Sequence, residues 1–268
     1  QTPSSWTSGD ANGQTEILEL HVGPSADAPA GGFGHGCASL PCVLYNGAVC
    51  YAFPQPCADA AEASARKEEL FSLGIDLADA AEVCAFAAER DLLVQYYVGD
   101  HIYVRPTCDE HRDLVRRYHE LTGASHTTVD EYPLTESPAK MLLMTDDPDG
   151  VLSTVREAQA SGALPSGLAS IRGSPPFFVE MLGQGVYKGS GLAKLCERRG
   201  VAMADVVAFG DGENDVEFVR DAGLGVAMKN GRDAVKSVAG RVTARTNAED
   251  GVAHELSMLQ AEGVLPQT

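Results

Sequence analysis

Positive charge is scarce in this chain. Its 268 residues carry 20 Lys and Arg against 38 Asp and Glu, a formal net charge of -18. Nucleic acid and anionic membrane surfaces both demand a basic face, so neither is expected as a partner. A small anionic ligand answers to local charge and stays open. Long apolar runs are lacking too: no stretch reaches the ~18 residues a transmembrane helix needs. The opening QTPSSWTSGDANGQ has neither the basic nor the apolar region of a secretory leader, and no initiating Met. The seven cysteines are odd in number and none stands in C-x-x-C spacing, which argues against a disulfide framework or a zinc site. Reduced thiols in an intracellular, cytoplasmic protein are expected. Tryptophan is limited to Trp6, in a stretch that carries no inference.

What is present is ordinary globular sequence, 44% apolar and 22% charged, enough for one large domain or two small ones. Residues 1–39 are rich in Gly, Ala, Ser and Pro around one apolar patch, ILELHV, and read as irregular. In LPCVLYNGAVCYAF the Asn46-Gly47 pair between apolar runs predicts a hairpin. Residues 59–90 have helical spacing, and LLVQYYVGDHIYVRP reads as two strands joined at Gly99-Asp100. HRDLVRRYHELTG predicts a helix ending at Gly123. KMLLMT predicts a strand and DGVLSTVREAQA a helix, with two more strands around Pro175-Pro176. From residue 188 strands and helices alternate regularly, which implies a parallel sheet covered by helices.

Ligands of such sheets bind at the carboxyl ends of the strands. There, after VVAF, stands GDGENDVEF, residues 209–218 counting the Phe before it. Clustered carboxylates at a strand end suit Mg²⁺, which takes one or two of them, keeps several waters and binds substrate phosphate. Gly210 and Gly212 allow a sharp turn and close approach to a ligand, and Asn214 can donate its amide to an anion. The competing explanation, acids that merely cap the next helix, accounts for Asp211 or Glu213 but not for the whole string.

The string G-D-G-E-N-D resembles the fourth motif of the haloacid dehalogenase superfamily, and in detail the Cof-type sugar-phosphate phosphatases. P-type ATPases share it but have membrane helices. YKGSGLAKL resembles the third motif, YNGAVC the turn that precedes an inserted cap, and FFVEMLGQGVYKG the return to the core. AGLGVAMKNGRDAVKSVAGRVT and NAEDGVAHEL resemble the segments that follow the fourth motif. The resemblance implies an α/β fold: a Rossmann-like parallel-sheet core formed by residues 40–53 and 179–268, its N-terminal strand missing or altered, with an α+β cap at 54–178. It implies Asp211 and Asp215 as Mg²⁺ residues, Lys188 as the cation that neutralises the transferring phosphoryl group, and Asn214, Asn46 and Gly47 at the substrate. The activity it implies is Mg²⁺-dependent hydrolysis of small phosphometabolites such as sugar phosphates. A phosphomutase of the same superfamily ranks lower, because its fourth motif is longer and different.

The family's nucleophile and its general acid and base are the two acids of a D-x-D-G-T motif on the first strand. No D-x-D precedes Asn46, where the acids are Asp10, Glu16, Glu19 and Asp27. Ser25 follows ILELHV as a second-motif Ser would, in a context that does not otherwise match. Asp147-Pro148-Asp149-Gly150 imitates the motif but is followed by Val151 and stands only 64 residues before Asp211 (211 - 147), so it reads as the loop of a cap strand-loop-helix. Three explanations stay open: a fragment or faulty gene model without its first strand, a phosphatase-like module that binds without turnover, and a replaced nucleophile. His35 is expected in a loop, His111, His119 and His126 lack the spacing of a ligand pair, and Tyr96, Tyr97 and Tyr103 are expected to pack in a sheet.

Overall fold

The computed structural model describes residues 39–54, 60–173 and 177–265. The expectations for ILELHV, Ser25, His35, Trp6 and Pro175-Pro176 lie outside these residues. The described residues form two compact units, one holding Ser72–Val186 and the other the described residues up to Phe71 together with those from Tyr187 onward.

In the second unit, strands β1 (Ser39–Leu44) and β2 (Val49–Pro54) pair antiparallel with Leu44 opposite Val49, so the hairpin expected at Asn46-Gly47 forms. Its turn is tight: Tyr45, Asn46 and Gly47 all have positive φ, at 54°, 54° and 99°. A helix α1 (Ala60–Arg66) follows, and β3 (Glu68–Ser72) extends the sheet in the order β1-β2-β3. The sequence expectation of helix through 59–90 is corrected here. The Ala, Glu and Leu of this stretch favour helix, but pairing beside β2 overrides a weak local preference in EELFS.

The first unit is built on six strands in the order β6-β5-β4-β7-β9-β8. Helix α2 (Leu77–Ala88) starts with the Asp76 carboxylate accepting from Ala78 N. Strands β4 (Leu93–Val98) and β5 (His101–Val104) join through Gly99-Asp100, as expected, with Gly99 at φ 54°. Helix α3 (Asp109–Thr122) ends at Gly123 in the left-handed conformation, φ 70°. The two-residue strand β6 (Thr127–Thr128), central strand β7 (Lys140–Met144), helix α4 (Pro148–Ser161), and strands β8 (Ala169–Arg172) and β9 (Phe178–Leu182) complete the unit.

Alternation along these strands separates two faces. Val94, Tyr96, Met141, Leu143, Val179 and Met181 pack with α2 and α4 in one apolar core. On the other parity, Lys140 and Glu180 are buried as an ion pair at 2.9 Å, and Tyr97 donates to Gln95 Oε1 at 2.7 Å. The units change over at 71/72 and 186/187, whereas the sequence boundaries stand at 53/54 and 178/179. Strand pairing accounts for the difference: β3 is tied to β2 and β9 lies between β7 and β8.

From Tyr187 the alternation read from sequence is realised. Helix α5 (Lys188–Arg199), strand β10 (Val207–Gly210), helix α6 (Val216–Asp221), strand β11 (Leu224–Ala227), helix α7 (Asp233–Val238), strand β12 (Arg241–Val242) and helix α8 (Gly251–Ala261) follow in turn. β10, β11 and β12 are parallel neighbours. Leu192 and Cys196 of α5, Ala208 of β10, Phe218 and Val219 of α6, Ala227 of β11 and Val235 of α7 form their shared core. A parallel three-stranded core is therefore present, and all three strand ends point their following loops to one edge. Among the described residues, no helix is long and apolar enough to cross a membrane.

Candidate functional site

The loop after β10 is shaped from within. Asp215 is 4% exposed, and its Oδ2 accepts from Asp211 N and Gly212 N, each at 2.7 Å. Its Oδ1 accepts from Lys188 Nζ at 2.6 Å, with Lys188 only 5% exposed. One carboxylate thus closes the loop on itself and fixes it to the first residue of α5. The flanking glycines serve that closure. Neither takes a positive φ; instead a Cβ on Gly210 would lie 2.6 Å from Asp215 Cβ, and one on Gly212 would lie 2.5 Å from Asn214 Oδ1. Close packing against the loop's own side chains, more than a sharp turn, is what requires glycine here.

Lys188 is placed by its helix start. Ser190 Oγ accepts from Tyr187 N at 3.0 Å and donates to Tyr187 O at 2.7 Å, fixing the first turn. The hairpin turn lies against the same turn of helix. A Cβ on Gly47 would stand 2.2 Å from Tyr187 O, and one on Gly191 would stand 2.5 Å from Gly47 Cα, so two glycines face each other in backbone contact. Gly47 is thereby brought to α5 beside Lys188, with Asn46 next to it in the left-handed conformation (φ 54°, ψ 33°).

Asp211 differs from Asp215 in being exposed. Its Oδ2 accepts from Asn247 Nδ2 at 2.7 Å and its backbone oxygen accepts from Arg232 N at 2.9 Å. The loop therefore offers Asp211, with the exposed Glu213 two residues on, as accessible carboxylates for a hard cation, while three N–H groups already engage the carboxylate of Asp215. A cation that takes one protein carboxylate and fills its shell with water and substrate oxygens fits this donor set, and Mg²⁺ is such a cation. Asn214 is exposed in the same loop. Of the six residues singled out in the sequence, all lie in one unit, and Lys188, Asp211 and Asp215 are joined by direct hydrogen bonds. Asn247 was missed. It belongs to NAEDGVAHEL, whose likeness to the family tail was the one sequence feature that could have pointed to it.

The imitation of D-x-D-G-T resolves as helix capping. Asp147 Oδ1 accepts from Gly150 N at 3.0 Å at the start of α4, and Asp149 pairs with Arg172 at 2.7 Å. Both lie in the other unit. A second cluster, Asp91, Cys108 and His111, brings three ligand atoms within 4.8 Å of one another. There the buried His111 Nε2 donates to Asp91 O at 2.9 Å and Nδ1 accepts from Thr107 N at 3.3 Å. Both ring nitrogens are spent on backbone, which is the pattern of a structural histidine.

Residues 37–256 match the family model of haloacid dehalogenase-like hydrolases. A putative phosphatase of Haemophilus influenzae is 32% identical over 187 residues, 69% of this chain and 68% of that protein. The 5-amino-6-(5-phospho-D-ribitylamino)uracil phosphatase YitU of Bacillus subtilis is 48% identical over 83 residues, but this match spans 31% of the chain and only 30% of that protein's length. An X-ray structure from Thermotoga maritima superposes with a TM-score of 0.66 at 25% identity, over 81% of this chain and 75% of its own. With the parallel core and the Lys188–Asp215–Asp211 loop already described, these likenesses show that the chain belongs to the haloacid dehalogenase-like hydrolases.

Proposed function

We propose that this chain is a Mg²⁺-dependent phosphomonoesterase for small phosphometabolites such as sugar phosphates, in the cytoplasm. The observation that supports it best is the buried Lys188–Asp215 pair whose carboxylate also folds the Asp211 loop. Phosphoryl transfer needs positioning and neutralisation of charge on the equatorial oxygens more than covalent chemistry. In this reading Asp211 holds Mg²⁺, which when bound adds positive charge beside the phosphoryl oxygens. Asp215 stands behind Asp211 and orients Lys188, whose ammonium offers donors to the same oxygens. Asn214 and the Asn46-Gly47 turn contact the substrate phosphate. The unit spanning Ser72–Val186 acts as the cap that selects the substrate, and the other unit as the core. The Bacillus relative's named substrate carries its phosphate on a ribityl chain, which makes pentose and pentitol phosphates the first compounds to try.

A second reading is favoured by one observation: the chain's one Asp-x-Asp, Asp147 to Asp149, is engaged as a helix cap and an ion pair. On that reading the protein binds phosphometabolites without turnover, since a missing attacking group is not replaced by better positioning of the rest. Hydrolysis of p-nitrophenyl phosphate with Mg²⁺ separates the two. Turnover that EDTA and Asp211→Asn both abolish is expected. No turnover, with Mg²⁺-dependent binding of ribose 5-phosphate intact, establishes the binding module instead. Absence of both refutes the site.

A further inference from the structure

We infer that Asn247 is a positioning residue that aims the Asp211 carboxylate at its cation, and that Asn230 holds Asn247 in place. The inference rests on the assignment of Asp211 to the metal made above.

Three loops follow the carboxyl ends of the three parallel strands, and each supplies one member of a relay. Asp211 follows β10, Asn230 follows β11 and Asn247 follows β12. Asn230 Oδ1 accepts from Asn247 N at 3.0 Å, and Asn247 Nδ2 donates to Asp211 Oδ2 at 2.7 Å. The β12 loop is itself braced. Thr243 is buried, its Oγ1 accepts from Lys229 N at 2.9 Å and donates to Arg245 O, and Thr246 N donates to Glu249 Oε2 at 2.9 Å. Asn247 therefore reaches Asp211 from a backbone clamped on both sides.

The chemistry of the donor matters. An exposed aspartate on a loop can rotate about both its side-chain torsions, and a metal ligand that rotates loses affinity to entropy. A hydrogen bond to Oδ2 removes that freedom and leaves Oδ1 for the cation. Lysine or arginine in place of Asn247 would also hold the carboxylate, but would set a positive charge beside the metal. An amide orients the ligand without that competition. Asn247 is exposed, so its bond to Asp211 contributes about 1 kcal/mol or less to folding, and its effect belongs in metal affinity. Loss of such an outer partner typically costs ~10–100-fold in metal binding.

The test is titration with Mn²⁺, a spin-active substitute for Mg²⁺, followed by electron paramagnetic resonance and independent of turnover. Wild type is expected to bind and Asp211→Asn to lose binding. Asn247→Ala should bind ~10–100-fold more weakly with its melting temperature lowered by no more than about 6 °C. Asn230→Ala should weaken binding less than Asn247→Ala. Equal affinity of wild type and Asn247→Ala overturns the inference while leaving the Asp211 site standing. If wild type does not bind, or Asp211→Asn binds as well as wild type, the site assignment falls and the inference with it.

Discussion

Replacing Lys188 by Met keeps the length and apolar body of the side chain and removes the cation that faces Asp215. The two groups are 5% and 4% exposed and their charged atoms stand 2.6 Å apart. At an effective dielectric of ~20 their attraction is about 6 kcal/mol, most of it offset by the cost of taking both charges out of water. Removing one partner of such a pair typically costs about 3–5 kcal/mol, because the other charge stays buried. Asp215 keeps two backbone donors at 2.7 Å, which puts the expected loss near the lower end, about 3 kcal/mol. In a unit of this size that lowers the melting temperature by roughly 9–18 °C. Calorimetry of the full chain should show the shift in one transition, that of the unit carrying α5. Lys188→Met with Asp215→Asn should lose clearly less than the two single losses added together, by at least about 1 kcal/mol, as contacting groups do. A Lys188→Met melting temperature within a degree of wild type, or strict additivity in the cycle, would refute the view that this pair shapes the loop.

Asp147→Ala removes the cap of α4 and should cost about 1 kcal/mol in urea denaturation, with Mg²⁺-dependent turnover or ligand binding unchanged; a loss of function would mean that Asp147 belongs to the site after all. His126 is held below its ordinary pKa, first by burial and then by the neighbouring His119, and its Nε2 lies 3.2 Å from Gln95 Nε2, so the neutral ring accepts there. Its depressed folded pKa means that the unfolded chain binds the proton more readily. Stability is therefore full above the unfolded value of about 6.5 and declines as pH falls from there toward the folded pKa. An NMR titration of the His126 ring with a midpoint at or above that of a free histidine would contradict this.

Much of the fold could be read because local and tertiary preferences agree. VVAF and LGVA are short apolar runs, RV stands directly after Gly240, and each is followed by a loop and a helix start, so strand and helix had one consistent reading. Asn46-Gly47 and Gly99-Asp100 marked their hairpins because Asn and Gly tolerate the positive φ that Asn46, Gly47 and Gly99 adopt. EELFS was not legible, since its helix-favouring residues become a strand only beside β2, and Thr127–Thr128 is too short for any periodicity. In the site, spacing identified Lys188, Asp211 and Asp215 but not which acid faces inward. That depends on the approach of α5, which begins 23 residues earlier (211 - 188). Asn247 was hidden for the same reason: it meets Asp211 across 36 residues, through the convergence of three strand ends.

The acids of the β10 loop have divided labours, and the division has a consequence for how such sequences endure. The Asp215 carboxylate, the glycines around Asp211 and the Lys188 ammonium are needed for the chain to close its loop and seat α5, whether or not any substrate is ever turned over. Selection for a folded protein would act on them in addition to any selection for turnover. Asp211, exposed and held among the described residues at one oxygen and its backbone, carries little of that burden. In a lineage that stopped working as an enzyme, Asp211 would be free to drift while the rest of G-D-G-E-N-D stayed, so the first acid of the string reports on chemistry and the last on architecture.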